Sequence, residues 1–266
     1  MKLLNIDANA KTVKGQKLGF MTAILYLLPW KHSGVNLCPM AEMAGCHASC
    51  LNTAGRGGIA KRGDIIVTDG GSIPNNTIQR ARQARTDLYN NNRQAFMVQL
   101  IKEIHAFVAK AKRKGLVPVV RLNGTSDIQW EIIPAMAKYQ REDGSVASAT
   151  IFEIFPDLTF YDYTKIAKRF NRALPSNYHL TLSYSEASKR YMQSCIKARA
   201  DHNVSMVVVT RNLKSKAHYS AAAAMSGANV VDGDAHDLRF LDPANSVVVL
   251  KAKGSAGKDT SGFVVD

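Results

Sequence analysis

The chain of 266 residues is 46% hydrophobic and carries a formal net charge of +14, with enough apolar material for a buried core in one large or two small domains. No uninterrupted apolar run reaches the length of a membrane span; the longest, residues 20–30, is too short and stops against Lys31 and His32. Met1-Lys2-Leu3-Leu4 runs at once into Asn5, Asp7 and Asn9, unlike a signal peptide, so the expectation is a cytoplasmic protein without a membrane partner.

The charge is uneven. Residues 1–115 hold 17 lysines and arginines against 6 acidic residues, whereas residues 116–266 hold 18 against 15. A basic N-terminal half suits nucleic acid or another polyanion, and equally a protein kept soluble by its charge.

Residues 1–18 are polar, with spaced lysines and no clear period; residues 20–28 read as a buried strand stopped by Pro29. After a polar link comes Cys38-Pro39-Met40-Ala41-Glu42-Met43-Ala44-Gly45-Cys46-His47-Ala48-Ser49-Cys50, which places three of the four cysteines in a C-x7-C-x3-C pattern. Its alanine-rich second half predicts a helix with Cys46 and Cys50 on one face, and Pro39 and Gly45 let Cys38 turn back toward them. Three converging thiolates predict a thiophilic metal centre, first of all an iron–sulfur cluster held by Cys38, Cys46 and Cys50. Zinc completed by His47 or Cys195 is the main alternative, although the paired C-x2-C knuckles of structural zinc are absent. Buried free cysteines are the third reading.

Residues 52–58 form a glycine-rich loop and residues 59–76 read as turns. From 77 to 114 the pattern is helical, with a break near Asn90-Asn91-Asn92. Phe96, Leu100, Ile104, Phe107, Val108 and Ala111 recur at helical spacing before Gly115. This basic helical segment is expected as an insertion in a single domain, 1–266. Strands are then expected at 116–122, 158–163, 179–183, 205–210, 229–231 and 246–250. Helices are expected at 128–138, 165–173, 186–200 and 217–225, with a polar connection over 139–150 and a short helix or strand at 150–154.

That alternation implies parallel strands joined by right-handed crossovers. The expected fold is α/β, a partial (β/α)6 TIM-like barrel of mostly parallel strands with the last strand at an edge. Its working face would be the carboxyl ends of the strands. Those ends are polar. Arg121 within the second strand, Asn123 after it, and Asp127 in the following loop are expected to line a site above the cysteines. An internal ion pair of Arg121 with Asp127 or Asp162 is the alternative. Cys195 falls in the middle of a helix and reads more as core than as a fourth ligand. The acidic stretch 232–237, with Arg239 and Asp242 nearby, reads as a divalent-cation loop or as a turn rich in Asp and Gly.

Three cysteines just after the first strand of a six-strand β/α chain resemble the radical S-adenosylmethionine enzymes. The resemblance implies a radical-SAM-like fold and a [4Fe–4S] cluster on Cys38, Cys46 and Cys50 with one iron left open. It also implies S-adenosylmethionine as a cofactor and one-electron redox chemistry. The family spacing is C-x3-C-x2-C, and Leu122-Asn123-Gly124-Thr125 stands where the family carries Gly-Gly-Glu. The stretches 37–58, 121–130 and 237–265 are similar to a family of bacteriophage gene products, which implies a viral protein in the host cytoplasm. The expectation is therefore a phage-encoded iron–sulfur protein acting on a small molecule or with a redox partner. A non-enzymatic electron-transfer protein with a closed cluster and a zinc-stabilised nucleic-acid-binding protein of phage replication are the alternatives.

Overall fold

Short branched and aromatic runs make the strands, and side-chain caps set where several helices begin. The computed structural model describes residues 1–7, 9–135, 138–140, 146–211 and 229–265. The helix expected at 217–225 and residues 141–145 of the connection expected at 139–150 lie outside the described residues.

Strand β1 (Leu4–Ile6) leads to helix α1 (Ala10–Gln16) and strand β2 (Phe20–Leu25). Asn9 starts α1 by accepting from the Lys11 and Thr12 amides, in a capping box with Thr12. Strands β3 (Ile65–Thr68) and β4 (Gly71–Pro74) form an antiparallel hairpin in the segment read as turns. Helices α2 (Thr77–Asn91) and α3 (Arg93–Arg113) are separated at Asn92, whose side chain accepts from the Ala95 amide and starts the second helix. Strand β5 (Val117–Arg121) follows, then a hairpin of β6 (Lys138–Gln140) and β7 (Val146–Ser148), and helix α4 (Ile151–Ile154). The chain continues through β8 (Thr159–Thr164), β9 (Tyr178–Ser183), α5 (Lys189–His202), β10 (Met206–Thr210), β11 (Asn229–Asp232) and β12 (Ser246–Lys251).

Eight strands form one sheet in the order β1-β2-β5-β8-β9-β10-β12-β11. Only β1 pairs antiparallel, with β2; the remaining neighbours are parallel. The fold is a mixed α/β architecture whose sheet does not close into a barrel, so β1 and β11 remain edges. Side-chain contacts rather than strand pairing link the two ends. Lys11 of α1 donates to the Gly233 carbonyl at 2.8 Å and pairs with Asp234 at 3.0 Å, just beyond β11.

Several expectations are corrected. β12 is not an edge strand but lies between β10 and β11. Its valine run is buried, whereas Asn229–Asp232 is largely exposed, as a continuous apolar run flanked on both sides requires. β1 is too short, at three residues, to have shown a period. The helix expected at 128–138 is a single 3-10 turn, Trp130–Ile132, with Pro134 two residues beyond it. The helix expected at 165–173 is likewise a 3-10 turn, Ala167–Asn171.

One face of the sheet packs on the helices. Met21, Ala23, Leu25, Val120, Leu122 and Phe160 share a core with Phe96, Leu100, Ile104 and Phe107 of α3. Apart from Ala23, each such fully buried side chain contributes about 1.5–3 kcal/mol. The basic helical segment is therefore the crossover between the adjacent parallel strands β2 and β5. On the other face Phe20, Val119 and Tyr161 meet Leu238 and Phe240, with Phe240 edge-on to Phe20 and Tyr161 at 5.3 and 5.4 Å. The segment after β11 thus covers the inner face and leaves the carboxyl ends of the strands open.

Candidate functional site

At those carboxyl ends lies a cavity of about 950 Å³. Arg121 of β5, Tyr163 and Thr164 of β8, Ser183 of β9 and Val209 of β10 reach it from the sheet. Cys38, Cys46 and Cys50 reach it from the loop after β2, so the three predicted metal ligands share one chamber with Arg121, Asn123 and Asp127.

The cysteine segment is not helical. It is a chain of tight turns, with Ala41 N–H donating to Cys38 O at 3.0 Å and Gly45 N–H to Glu42 O at 3.1 Å. Gly45, at φ +71°, breaks the winding in the left-handed region. A side chain there would meet Ser261 and Ala187 at under 3 Å. The C-terminal segment closes over this loop: Asp259 accepts from Ser49 Oγ at 2.5 Å and from Ser261 Oγ at 2.8 Å.

All three cysteines are half-buried and free. Backbone amides point at two of the sulfurs, Trp30 N–H at Cys38 Sγ and Asn52 N–H at Cys50 Sγ, each at 3.4 Å. Burial pushes the Cys38 thiol well up, and the nearby Cys50 and Cys46 add to the shift. Burial raises Cys46, and raises Cys50 to about 11, with Cys46 again contributing. Burial, the leading cause in each case, favours the neutral thiols, and a bound cation would draw off their protons. Among the described residues no three His, Cys, Asp or Glu side chains are drawn together around one ion.

The candidate fourth ligands face elsewhere. Cys195 is buried in a small core with Ala44, Leu182, Tyr191 and Met206. His47 Nδ1 lies 3.1 Å from the Ala41 carbonyl, and its ring packs 4.8 Å from Trp30. Neither is among the described residues that line the cavity.

Asn123 and Asp127 have structural partners. Asn123 Oδ1 accepts from Ser126 Oγ, the Ile128 amide and Trp130 Nε1, while Nδ2 donates to the Ile128 carbonyl. It is the post around which the 123–130 loop winds. Gly124 beside it approaches β2 so closely that a Cβ would lie 2.7 Å from the Leu25 carbonyl. Asp127 accepts from Thr164 Oγ1 at 2.8 Å, the Lys165 amide at 2.7 Å and Arg169 Nη1 at 3.3 Å. Arg169 is fully buried and also grips Glu131 through two nitrogens.

Arg121 pairs with Asp237 at 2.5 Å, not with Asp127 or Asp162. Its guanidinium lies 5.6 and 5.1 Å from the Tyr161 and Tyr163 rings, and its Nε is buried without a partner. Two of the three aspartates of the acidic stretch 232–237 are paired with cations. Asp234 pairs with Lys11 and Lys253, Asp237 with Arg121, and the nearby Asp242 with Arg239. It forms a turn held by ion pairs.

Several cations that the sequence does not single out line the cavity, Lys165 and Arg82 among them. Lys165 follows β8 and is buried with Nζ 3.2 Å from the Ser183 carbonyl and 4.5 Å from the Phe263 ring centre. Burial lowers its pKa, partly offset by Cys46. The polarity at the end of β8 that marked Asp162 and Tyr163 continues to Lys165. Arg82 of α2, near Cys50, was indistinguishable in sequence from the solvated positive charges around it.

No helix among the described residues is long and apolar enough to cross a membrane. Among curated proteins and among solved structures none matches the chain. A family model described as Gene product 88 matches residues 1–266. With its full length matched, the chain belongs to the Gene product 88 family of phage gene products.

Proposed function

We propose that the chain is a phage-encoded iron–sulfur protein in which Cys38, Cys46 and Cys50 hold a [4Fe–4S] cluster, leaving one iron facing the cavity. The observation that carries this reading is that all three thiols open into one cavity at the carboxyl ends of parallel strands. A mononuclear zinc site would need sulfurs about 3.8 Å apart, given zinc–sulfur bonds of about 2.3 Å. A cluster would take its thiolates on separate irons, which suits three thiols that open into one cavity without gathering around one ion. The amides aimed at Cys38 and Cys50 suit charged cluster sulfurs. Cys195 and His47, turned elsewhere, favour three ligands over a closed electron-transfer centre.

A bound cluster of this kind supplies one-electron chemistry to a ligand at its open iron. The remaining work falls to the chain's own residues. Arg121, which lines the cavity beside Asp237, is suited to orient an anionic group of that ligand. Asn123 and Asp127 hold the 123–130 loop and the end of β8, and so fix the floor on which the ligand rests. S-adenosylmethionine, with its carboxylate, is the candidate ligand. The radical-SAM-like reading rests on β2, β5, β8, β9, β10 and β12 lying side by side in chain order, with the cysteines directly after β2.

Anaerobic purification and reconstitution, followed by visible absorption and metal analysis, tests this. The expected product is brown with iron and sulfide bound, and its reduced electron paramagnetic resonance signal changes on adding S-adenosylmethionine. A colourless protein carrying one zinc would overturn the cluster. An unchanged signal would remove S-adenosylmethionine while leaving the cluster.

A further inference from the structure

The cavity is far more cationic than a three-thiolate cluster needs. Eight lysine and arginine side chains line it against two aspartates, and both aspartates are already paired, Asp237 with Arg121 and Asp127 with Arg169. Lys11 and Lys253 share Asp234. Among the described residues, no carboxylate lies within ion-pair distance of Arg56, Arg82, Arg85, Lys165 or Lys251.

Arg82 and Arg85 concentrate this excess. They stand three apart on α2, on neighbouring positions of one helix face, and each is only 8% exposed. Arg82 spends Nη1 on the Asn52 carbonyl at 2.6 Å and on the Asn52 side chain, while its Nε is buried without a partner. Arg85 Nε donates to the Lys2 carbonyl at 2.8 Å, and its two terminal nitrogens have only long contacts of 3.4 Å, to Tyr26 O and Asn5 Oδ1. Burying a cation without a counter-charge costs several kcal/mol per ion. Glu103 acts on Arg85 only from beyond ion-pair distance, so a wall that carries the two arginines side by side is adapted to a ligand that brings further negative charge. The Gly55–Gly58 turn, with exposed Arg56, forms the adjoining rim, and Leu51 and Ile78 add apolar surface.

We infer that this wall is a phosphate subsite, with Arg56, Arg82 and Arg85 receiving the phosphate groups of a free nucleotide. The inference uses the cavity of the proposed cluster but does not depend on iron. The volume lies at the upper end of small-molecule pockets, about 300–1,000 Å³. A continuous nucleic-acid backbone would have to thread the cavity to reach side chains this buried, which favours the free nucleotide.

Calorimetric titration of the full chain, once chelator-treated and once reconstituted with iron, tests the subsite. The probes are ATP, pyrophosphate, adenosine and a single-stranded oligonucleotide. ATP and pyrophosphate are expected to bind both preparations, and adenosine to bind neither. Arg82→Gln and Arg85→Gln should each weaken ATP at least about 10-fold, as loss of a charge-assisted contact does. Exposed Arg56→Ala should weaken it with an unchanged melting temperature, which separates binding from folding. Adenosine binding as well as ATP, ATP binding neither preparation, an unaltered Arg56→Ala affinity, or oligonucleotide binding that ATP does not displace would each overturn the subsite. ATP binding without iron uptake would sink the cluster alone, and iron uptake without ATP binding would sink the subsite alone.

Discussion

Arg121 at the end of β5 and Asp237 beyond β11 meet at 2.5 Å across 116 residues of sequence. Tyr163 adds its hydroxyl to the other carboxylate oxygen at 3.2 Å. This pair fastens the segment after β11 to the middle of the sheet, where strand pairing does not close the fold. Arg121→Met and Asp237→Asn are each expected to cost about 3–5 kcal/mol, because each strands a buried partner. The double variant should lose clearly less than the sum, as a double-mutant cycle by urea unfolding will read. Additive losses would mean that the pair carries no coupling.

Asp162 gives the stability a pH dependence. Burial raises its carboxyl to about 6, against the pull of Arg121, the Asn123 amide and the Tyr178 hydroxyl. The folded state then holds a proton that the unfolded chain has released. This contribution is fully present below about pH 4 and is lost as pH rises through about 6, an effect on the order of 3 kcal/mol. Urea unfolding between pH 4 and 7.5 should show that slope in the native chain and a flatter one in Asp162→Asn. Equal slopes would contradict it.

The C-terminal segment acts as a clamp on the cysteine loop. Asp259 holds Ser49, Ser261 and the Val264 amide, and Gly45 fits beneath Ser261 only because it lacks a Cβ. Gly45→Ala combines a left-handed backbone with a close contact and is expected to cost roughly 2 kcal/mol or more. Asp259→Ala should speed hydrogen exchange in residues 38–50 while the sheet stays protected. Unchanged exchange there would argue that the loop holds its shape alone.

Asn123 tests the difference between a ligand contact and a structural post. Its side chain makes four hydrogen bonds within the 123–130 loop. Asn123→Ala should therefore lower stability by about 3 kcal/mol through stranded buried polar groups, as chemical denaturation will measure. A stable Asn123→Ala protein would return Asn123 to the list of ligand contacts.

The parallel strands from β2 onward and the gathering of Cys38, Cys46 and Cys50 at their carboxyl ends were legible because hydrophobic runs and residue spacing are local signals. Arg121 was recognised as out of place in a buried strand, but its partner was not, since Asp237 is brought to it only by the path of the chain after β11. The cysteine loop winds as turns and not as the helix its alanine content suggests, because Gly45 breaks the winding in the left-handed region. Arg82 and Arg85 were invisible for a related reason: on a basic helix, only the tertiary fold decides which arginines turn inward. The edge position of β11 was likewise a property of pairing, set by the buried valines of β12.

In the proposed site Cys38, Cys46 and Cys50 hold the cluster and Cys195 does not. Iron and sulfide content after anaerobic reconstitution measures it directly in Cys38→Ala, Cys46→Ala, Cys50→Ala and Cys195→Ala. About four irons and four sulfides per chain are expected in the native protein and in Cys195→Ala, with loss in each of the other three. Full iron in any of those three, or its loss in a folded Cys195→Ala, would contradict the account.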